Sequence, residues 1–275
     1  MNGAPLPLGA MIHLGPMHQT LGAEAAGILA AALGSQRPGW VPIIYPIRWL
    51  ALPEIRTAIA AAIGPQTGLL LHETQNFEAS TPLRAAATYR LSATVEVAGT
   101  DPPRLSLRGT ASDDDGTVCA RFTARLRLLP LSAPASPTPS APPPTATANS
   151  HAWDVHAPVD ADWVRRYCAA SGDDNPLHLD PAIARQAGFT APIVPGMQLL
   201  GLCERAVRAW YKDATILRLA GRFLHPLTTP ARIAITGRRV QMSDDGRQIT
   251  LRMFVGSEGQ AAACVAEAAL RLPPE

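Results

Sequence analysis

The sequence contains a single lysine, Lys212, so its positive charge rests almost entirely on scattered arginines. Lysine and arginine together number 24 against 22 aspartates and glutamates, which gives a formal net charge of +2. Binding to a nucleic acid backbone needs a clustered basic face, and no long run of basic residues occurs. The charge pattern therefore argues against nucleic acid as the partner.

Cysteine is also scarce, and the chain shows neither a CxxC pair nor a Cys/His ligand spacing around Cys119, Cys168, Cys203 and Cys264. This excludes the familiar zinc and disulfide patterns and favours reduced thiols in a cytoplasm. Stretches of about 18 consecutive apolar residues are absent, and the first residues lack the basic start and apolar run of an export signal. We therefore expect a cytoplasmic protein without a membrane span.

Aromatic residues make up only 5% of the chain, but hydrophobic residues make up 47% and charged residues 17%, which is typical of a folded globular protein. A length of 275 residues suggests about two domains. Pro, Ala, Ser and Thr dominate residues 130–149, and such a segment favours an extended spacer over a proline-rich recognition segment. We therefore predict a first domain over 1–129, a linker over 130–149 and a second domain over 150–275.

Helical spacing precedes strand-like alternation in both predicted domains. In the first, we predict helices over 23–34 and 53–64, then strands over 68–79, 84–97, 103–112 and 117–129. In the second, we predict helices over 161–172, 180–188 and 196–211, then strands over 231–242, 248–256 and 261–272. The repeated order favours an α+β protein formed by duplication. A weak echo agrees: Phe77 and Phe223 each precede a loop with Pro and Thr and then a strand.

The last of these helices has a predicted apolar face and a predicted polar face. The apolar face is formed by residues that recur at helical spacing, namely Met197, Leu200, Cys203, Val207 and Trp210. We expect Glu204, Arg205 and Arg208 to lie elsewhere, on the surface.

The densest group of polar side chains is SGDDNPLHLD, residues 171–180. Asp173 and His178 flank Pro176, which prevents an ordinary helix from carrying them apart, so the two side chains can converge on a water molecule and exchange protons with it. A second interpretation is a capped turn in which His178 is a packed polar side chain. A third is a metal site that adds Asp174 and Asp180 as ligands. Residue types alone leave all three open.

The stretch SGDDNPLHLDPAIARQAGFTAPIVPGM, residues 171–197, resembles the hydratase motif of the MaoC-like and (R)-specific enoyl-thioester hydratases. The resemblance implies a hotdog fold, in which a curved antiparallel sheet wraps around a central helix. It also implies that Asp173 and His178 are the catalytic pair that holds the water added to, or released from, the carbon β to the thioester. Gly196 matches the glycine whose backbone N–H donates to the thioester carbonyl. Its place at the start of a helix suits that role, because free N–H groups there favour negative charge.

The resemblance assigns further residues to the substrate site. Asn175 matches the asparagine of the motif and is expected to shape the turn, and Met197 follows the donor glycine. Pro195 stands where the family usually has a histidine. Glu204 stands at the spacing where some relatives carry a serine near the site, so it either changes the pocket by being buried or faces solvent.

Residues 41–83 resemble the N-terminal half of double-hotdog hydroxyacyl-thioester dehydratases, which have a histidine early in the first long strand. The resemblance implies a tandem, double hotdog whose first repeat lacks a catalytic pair and helps to form the acyl tunnel. His72 and Glu73 are candidates to contact the substrate, although a strand histidine can equally be structural. A homodimer of double-hotdog chains is a further expectation.

The predicted function is that of a (3R)-hydroxyacyl-thioester dehydratase, equivalently an (R)-specific enoyl-thioester hydratase. The expected substrate is an acyl-CoA or an acyl carrier protein thioester, and the expected chemistry uses no metal, nicotinamide or flavin cofactor. A hotdog thioesterase is one alternative. A non-catalytic acyl-thioester binding module is another.

Overall fold

The computed structural model describes residues 4–35, 40–65, 68–129, 150–153, 158–257 and 260–274, with the backbone alone for 150–153. The predicted linker over 130–149 lies outside the described residues. We refer to residues 4–129 as the N-terminal half and to residues 150–274 as the C-terminal half. Among the described residues, no helix combines the length and the apolar composition needed to cross a membrane.

The N-terminal half contains two α-helices, a 3₁₀ helix and five strands. In chain order they are β1 (Met11–Thr20), α1 (Ala23–Ala32), the 3₁₀ helix Tyr45–Ala51, α2 (Pro53–Ile63), β2 (Leu69–Ala79), β3 (Thr88–Thr100), β4 (Pro103–Ser112) and β5 (Val118–Leu129). The two predicted helices and four predicted strands of this half are confirmed, with end residues shifted by up to four positions.

The C-terminal half repeats the pattern. In chain order its elements are β6 (Ser150–Trp153), β7 (Pro158–Val159), α3 (Ala161–Ser171), the 3₁₀ helix Pro176–His178, α4 (Pro181–Gln186), α5 (Gly196–Trp210), β8 (Thr215–Phe223), β9 (Ala231–Met242), β10 (Gln248–Ser257) and β11 (Cys264–Arg271). The three predicted helices and three predicted strands of this half are confirmed.

One antiparallel sheet runs through both halves in the order β1-β3-β4-β5-β2-β8-β11-β10-β9-β6, and β7 also pairs with β9. The order reads the same outward from the central pair: β2 and β8 are followed by β5 and β11, then by β4 and β10, then by β3 and β9. The central pair joins Phe77 to Leu219 and runs from Thr74 to Glu78 on β2. The echo between Phe77 and Phe223 thus falls on the ends of two equivalent strands.

Four strands were not predicted: the short strands β6 and β7, and the longer strands β1 and β8. In β1, Pro16 lies within the strand and the register against β3 shifts between Leu14 and Met17. Proline cannot donate to a ladder, but β1 is the edge of the sheet, where a missing donor is tolerated. In β8, the register against β11 shifts between Ile216 and Arg218, and this bulge breaks the alternation that would have indicated a strand.

Capping residues define one end of α3 and one end of α4. Asp180 caps α4, because its Oδ1 accepts the Ala182 and Ile183 N–H groups at 2.7 and 3.3 Å. Gly172 ends α3 in the left-handed region, at φ 78°, and its N–H donates to the Cys168 carbonyl. The expected surface position of Glu204 on α5 is wrong, because this side chain is completely buried.

Candidate active site

A cavity of about 710 Å³ lies between the two halves. The N-terminal half contributes the 3₁₀ helix, α2, the first residues of β2 and the last residues of β5. The C-terminal half contributes residues 171–176, His178, the start of α5 and the end of β8. Its volume is in the range of small-molecule sites in proteins. Most of the predicted site residues line it: His72, Asp173, Asn175, His178, Gly196 and Met197.

The turn between α3 and α4 carries the predicted catalytic pair. Its shape comes from side chains that replace backbone partners: Asp173 Oδ1 accepts the Asn175 N–H at 3.2 Å, and Asn175 Oδ1 accepts the Leu177 N–H at 3.2 Å. Pro176 then begins the 3₁₀ helix that ends at His178. The turn therefore presents Asp173 and His178 from opposite ends of one short loop.

The turn is fastened to the other half of the molecule through β2. Asn175 Nδ2 donates to the Leu70 carbonyl at 2.8 Å. This carbonyl is available because β2 pairs with β8 only through residues 74–78, which leaves the beginning of that edge without a neighbouring strand. A small apolar cluster reinforces the contact, and its buried members are Leu129, Leu177, Ala187 and Ile193.

Asp173 and His178 face each other at the cavity wall, with His178 Nε2 3.6 Å from Asp173 Oδ2. The other ring nitrogen, His178 Nδ1, lies 2.8 Å from the Ile193 carbonyl. A carbonyl only accepts, so Nδ1 carries the hydrogen and Nε2 of the neutral ring presents a lone pair. The side chain of His178 is 8% exposed and that of Asp173 is 23% exposed, so the cavity reaches the carboxylate more freely than the imidazole.

Gly196 is the first residue of α5, where backbone N–H groups have no partner within the helix. A Cβ atom at this position would lie 2.8 Å from Cδ1 of Phe223, closer than such atoms approach in real structures. Glycine is therefore required by the packing of Phe223 against the helix start. Gly196 thus lines the cavity without a side chain of its own.

His72 reaches the cavity because β2 contains a bulge. His72 pairs with Leu126 of β5, and Gln75 pairs with Ala124. The two β2 residues are three positions apart, whereas their β5 partners are two positions apart, so β2 contains one extra residue and His72 faces the same side of the sheet as Gln75. The His72 ring packs edge-on to Phe223 with centroids 6.4 Å apart. Burial lowers the pKa of His72 to about 4, an effect that the Asp173 carboxylate opposes and that His178 reinforces.

Three residues of the sequence interpretation lie away from the cavity centre. Asp174 is mostly exposed and pairs with Arg56 at 2.6 Å, and this hydrogen bond lowers the pKa of Asp174. Asp180 is occupied as the cap of α4. The alternative of a metal site from the turn therefore lacks two of its four ligands, and among the described residues no group of three or more His, Cys, Asp and Glu could hold a metal ion.

Pro195 is buried and precedes the first residue of α5. Its carbonyl accepts the Gln198 N–H at 3.0 Å.

Glu204 lies outside the cavity and links α5 to the N-terminal half. Its Oε1 accepts the Ile43 N–H at 2.9 Å and the Arg208 guanidinium at 3.1 Å. Burial raises the pKa of Glu204, and Arg208 opposes that rise. Of the two expectations for this residue, burial is confirmed and a solvent-facing position is wrong. The buried side chain does not line the cavity but links the two halves.

Two contributors were not found from the sequence. Arg56 on α2 donates to the Gly172 carbonyl at 3.0 Å as well as to Asp174, but its sequence signal is only that of an exposed helical arginine. The Ser171 hydroxyl accepts the Asp173 N–H at 3.3 Å. Ser171 is part of the SGD string, so that motif held the available signal.

Comparisons with known proteins show which family this chain resembles. A family model described as "MaoC like domain" matches residues 144–258. The chain is 32% identical over 119 residues to 3-hydroxyacyl-thioester dehydratase X of Mycobacterium tuberculosis, and the matched region covers 43% of this chain and 38% of that protein. It is 31% identical over 112 residues to (R)-specific enoyl-CoA hydratase of Aeromonas caviae, and the matched region covers 40% of this chain and 84% of that protein.

The fold extends the likeness to nearly the whole chain. A solved MaoC-like dehydratase superposes with a TM-score of 0.77 at 16% identity, and the match covers 97% of this chain and 98% of the other. The architecture is thus the α+β hotdog architecture of such proteins. The sequence match, the fold and the turn at residues 171–178 lead to one conclusion: the chain belongs to the MaoC-like dehydratase family, a family of hydratases and dehydratases.

Proposed function

We propose that this protein is a (3R)-hydroxyacyl-thioester dehydratase, equivalently an (R)-specific enoyl-thioester hydratase, acting on acyl-CoA or acyl carrier protein thioesters. The observation that carries the proposal is the placement of the Asp173 carboxylate and His178 Nε2, 3.6 Å apart, on the same cavity as the N–H of Gly196. The mycobacterial and Aeromonas relatives, a 3-hydroxyacyl-thioester dehydratase and an (R)-specific enoyl-CoA hydratase, support the reaction class.

The Asp173/His178 pair offers two acceptors to one water molecule. In the hydration direction, the water donates one hydrogen to the carboxylate and the other to His178 Nε2, so its oxygen lone pair faces C3 of the enoyl thioester. Attack forms the C3–O bond and moves the C2–C3 π electrons into an enolate. The pair takes a proton from the water and returns a proton to C2. Dehydration reverses these steps, and the pair acts as one acid–base unit because coupled groups titrate together.

Gly196 completes the chemistry at the other end of the reacting group. Negative charge develops on the thioester oxygen as the enolate forms, and the N–H at the start of α5 points a partial positive charge at it. A preorganised donor of this kind stabilises a transition state by about 3 to 4 kcal/mol. The scheme uses proton transfer and hydrogen bonding alone and calls for no metal, nicotinamide or flavin.

The cavity walls suit an acyl chain. Apolar side chains of both halves line it, among them Ile47, Ile59, Leu128, Met197 and Leu199. Water exclusion by these side chains strengthens the hydrogen bonds at the thioester. In this proposal, Met197 contacts the acyl group beside Gly196, Asn175 holds the turn against Leu70, and buried Pro195 fixes where α5 begins.

The division into two hotdog repeats, over 1–129 and 150–275, is part of the proposal. The mirrored strand order about β2 and β8 supports it. The first repeat then has no catalytic turn of its own and provides the strand carbonyl and the cavity wall that the second repeat needs.

The experiment is a hydration assay with short and medium trans-2-enoyl-CoA, followed by loss of the conjugated thioester absorbance. Wild-type protein is compared with Asp173→Ala and His178→Ala, and with Asp174→Ala as the matched neighbour whose side chain turns to Arg56. We expect hydration by wild type and by Asp174→Ala and none by the other two. Retained hydration in both Asp173→Ala and His178→Ala would refute the site assignment. Release of free CoA would indicate a thioesterase, and binding without turnover would indicate a non-catalytic module.

A further inference from the structure

The N-terminal half places one imidazole beside the reacting groups, and the scheme above leaves it unused. His72 Nε2 is buried, and among the described residues it has no hydrogen-bond partner. A buried polar atom without a partner costs about 1 to 3 kcal/mol and is uncommon in folded proteins. Such an atom on a cavity wall is suited to a bond with the ligand.

The position of His72 is tied to Gly196 through Phe223. The Phe223 ring packs against the start of α5 closely enough to exclude a side chain at Gly196, and the same ring is in T-shaped contact with the His72 imidazole, with centroids 6.4 Å apart. His72 and Gly196 therefore flank one aromatic side chain on the same cavity. Asp173 and His178 line this cavity as well, and their charges influence the pKa of His72.

The chemical state of His72 suits a hydrogen-bond donor. Because burial lowers the pKa of this imidazole to about 4, the ring is neutral near pH 7 and keeps one N–H. A neutral imidazole can donate to a carbonyl oxygen that is gaining negative charge, without giving up its proton. Oxyanion sites commonly combine a backbone N–H with a side-chain donor.

We infer that His72 donates from Nε2 to the thioester carbonyl oxygen, as the second donor beside the N–H of Gly196. The inference rests on the proposed function, since it assigns a role within that site. The imidazole retains its proton throughout, so no bond to it forms or breaks. The active site would then be completed by the half that lacks the catalytic turn.

The first test separates the N–H from the ring that carries it. His72→Phe keeps an aromatic ring against Phe223 and removes the donor, whereas His72→Gln supplies an amide N–H. We expect His72→Phe to lower kcat for enoyl-CoA hydration by roughly 10²- to 10³-fold with a smaller change in KM, and His72→Gln to recover most of that loss. His13→Phe is the matched control, because His13 is an exposed strand histidine of the same half. Thermal unfolding of each variant reports whether it folds.

The second test measures the contact with the carbonyl without turnover. Butyryl-CoA and its thioether analogue, S-butyl-CoA, differ in the carbonyl oxygen, and neither has a double bond to hydrate. Wild type is expected to bind the thioester roughly 2- to 10-fold more tightly than the thioether. His72→Phe is expected to lose much of that preference.

The outcomes separate this inference from the proposed function. If wild type hydrates enoyl-CoA but His72→Phe matches it in kcat and in thioester preference, the role of His72 is wrong and the proposed function stands. If wild type hydrates nothing, the proposed function fails, and the thioester preference of wild type against His72→Phe still decides whether His72 contacts the carbonyl. Equal loss in the Phe and Gln variants would assign His72 to packing and would overturn the inference.

Discussion

The two halves of the molecule share a sheet order but differ in the segment that follows their first α-helix. In the N-terminal half, the chain between α1 and α2 forms the 3₁₀ helix Tyr45–Ala51, with Tyr45, Ile47 and Trp49 buried in the core. In the C-terminal half, the chain between α3 and α5 forms the turn with Asp173 and His178. The segment after the first α-helix thus contributes buried core side chains in the N-terminal half and polar side chains of the candidate site in the C-terminal half.

The difference shows that neither half holds a complete site. The turn with the reactive groups is held by a carbonyl of β2, and the cavity is closed by α2 and the 3₁₀ helix of the other half. The N-terminal half is therefore a structural partner to the C-terminal one. The following changes test that division of roles, beginning with the largest expected effect.

The largest effect is expected at the polar turn of the C-terminal half. Asp173→Asn and His178→Gln should each lower kcat by about 10³-fold, because each removes one acceptor from the same water molecule. Since the two act as a unit, the double variant should lose little more than either single variant. Steady-state hydration kinetics check this. A double variant whose loss equals the product of the single losses would show independent roles.

A glycine from each half provides the second comparison. Gly196→Ala should lower kcat by about 10²-fold, because the new Cβ meets Phe223 at 2.8 Å and must shift the N–H that we propose as the donor to the thioester. Gly27→Ala on α1 meets nothing within 4 Å and should leave kcat unchanged. Hydration kinetics measure both variants. Phe223→Leu added to Gly196→Ala should restore part of the rate, and no recovery would place the defect elsewhere.

The hydrogen bonds of Glu204, which link the two halves, predict an effect on stability. Glu204→Ala should lower the free energy of unfolding by about 3 to 5 kcal/mol, because it leaves Arg208 and the Ile43 N–H without their buried acceptor. Chemical denaturation measures the loss. The exposed Glu24 of α1 is the control, and Glu24→Ala should cost less than about 1 kcal/mol. A Glu204→Ala protein as stable as wild type would show that the halves are held together by apolar contacts.

His72 predicts a pH effect that depends on its burial. Its pKa is about 4 in the folded protein and 6.5 in the unfolded chain, so the unfolded chain takes up a proton first as pH falls. The stability that comes from the neutral ring is present above pH 6.5 and is lost progressively between pH 6.5 and 4. The loss is up to about 3 kcal/mol, since one pKa unit corresponds to about 1.4 kcal/mol.

Replacement of His72 by a group that does not titrate should remove that loss. Denaturation of wild type and His72→Phe at pH 7 and pH 4.5 measures the difference, with His13→Phe as the control. The groups that face His72 are Asp173 and His178, so both must stay in place in these proteins. Identical pH dependence in wild type and His72→Phe would contradict a buried neutral imidazole.

Much of the fold and of the reactive turn was predictable from local sequence. A few neighbouring residues are enough to recognise an alternating strand or a helix cap such as Asp180 or Gly172. The motif SGDDNPLH is likewise one continuous stretch of the chain. The contacts that complete the site are not local. The Leu70 carbonyl, Arg56 and the buried partners of Glu204 meet the turn and α5 only after the halves pack, and the strands β1 and β8 were hidden by Pro16 and by a bulge.

The most direct test of the account is analysis of the product that wild-type protein forms from trans-2-butenoyl-CoA in ¹⁸O-labelled water. The account predicts (3R)-3-hydroxybutyryl-CoA that carries the heavy oxygen on C3, with the thioester intact. Free CoA with labelled butenoate would show hydrolysis of the thioester, and the (3S) product would show that the turn delivers water to the opposite face. The first result would contradict the claim that Asp173 and His178 add water to C3 beside the N–H of Gly196, and the second would contradict the (R)-specificity of that addition.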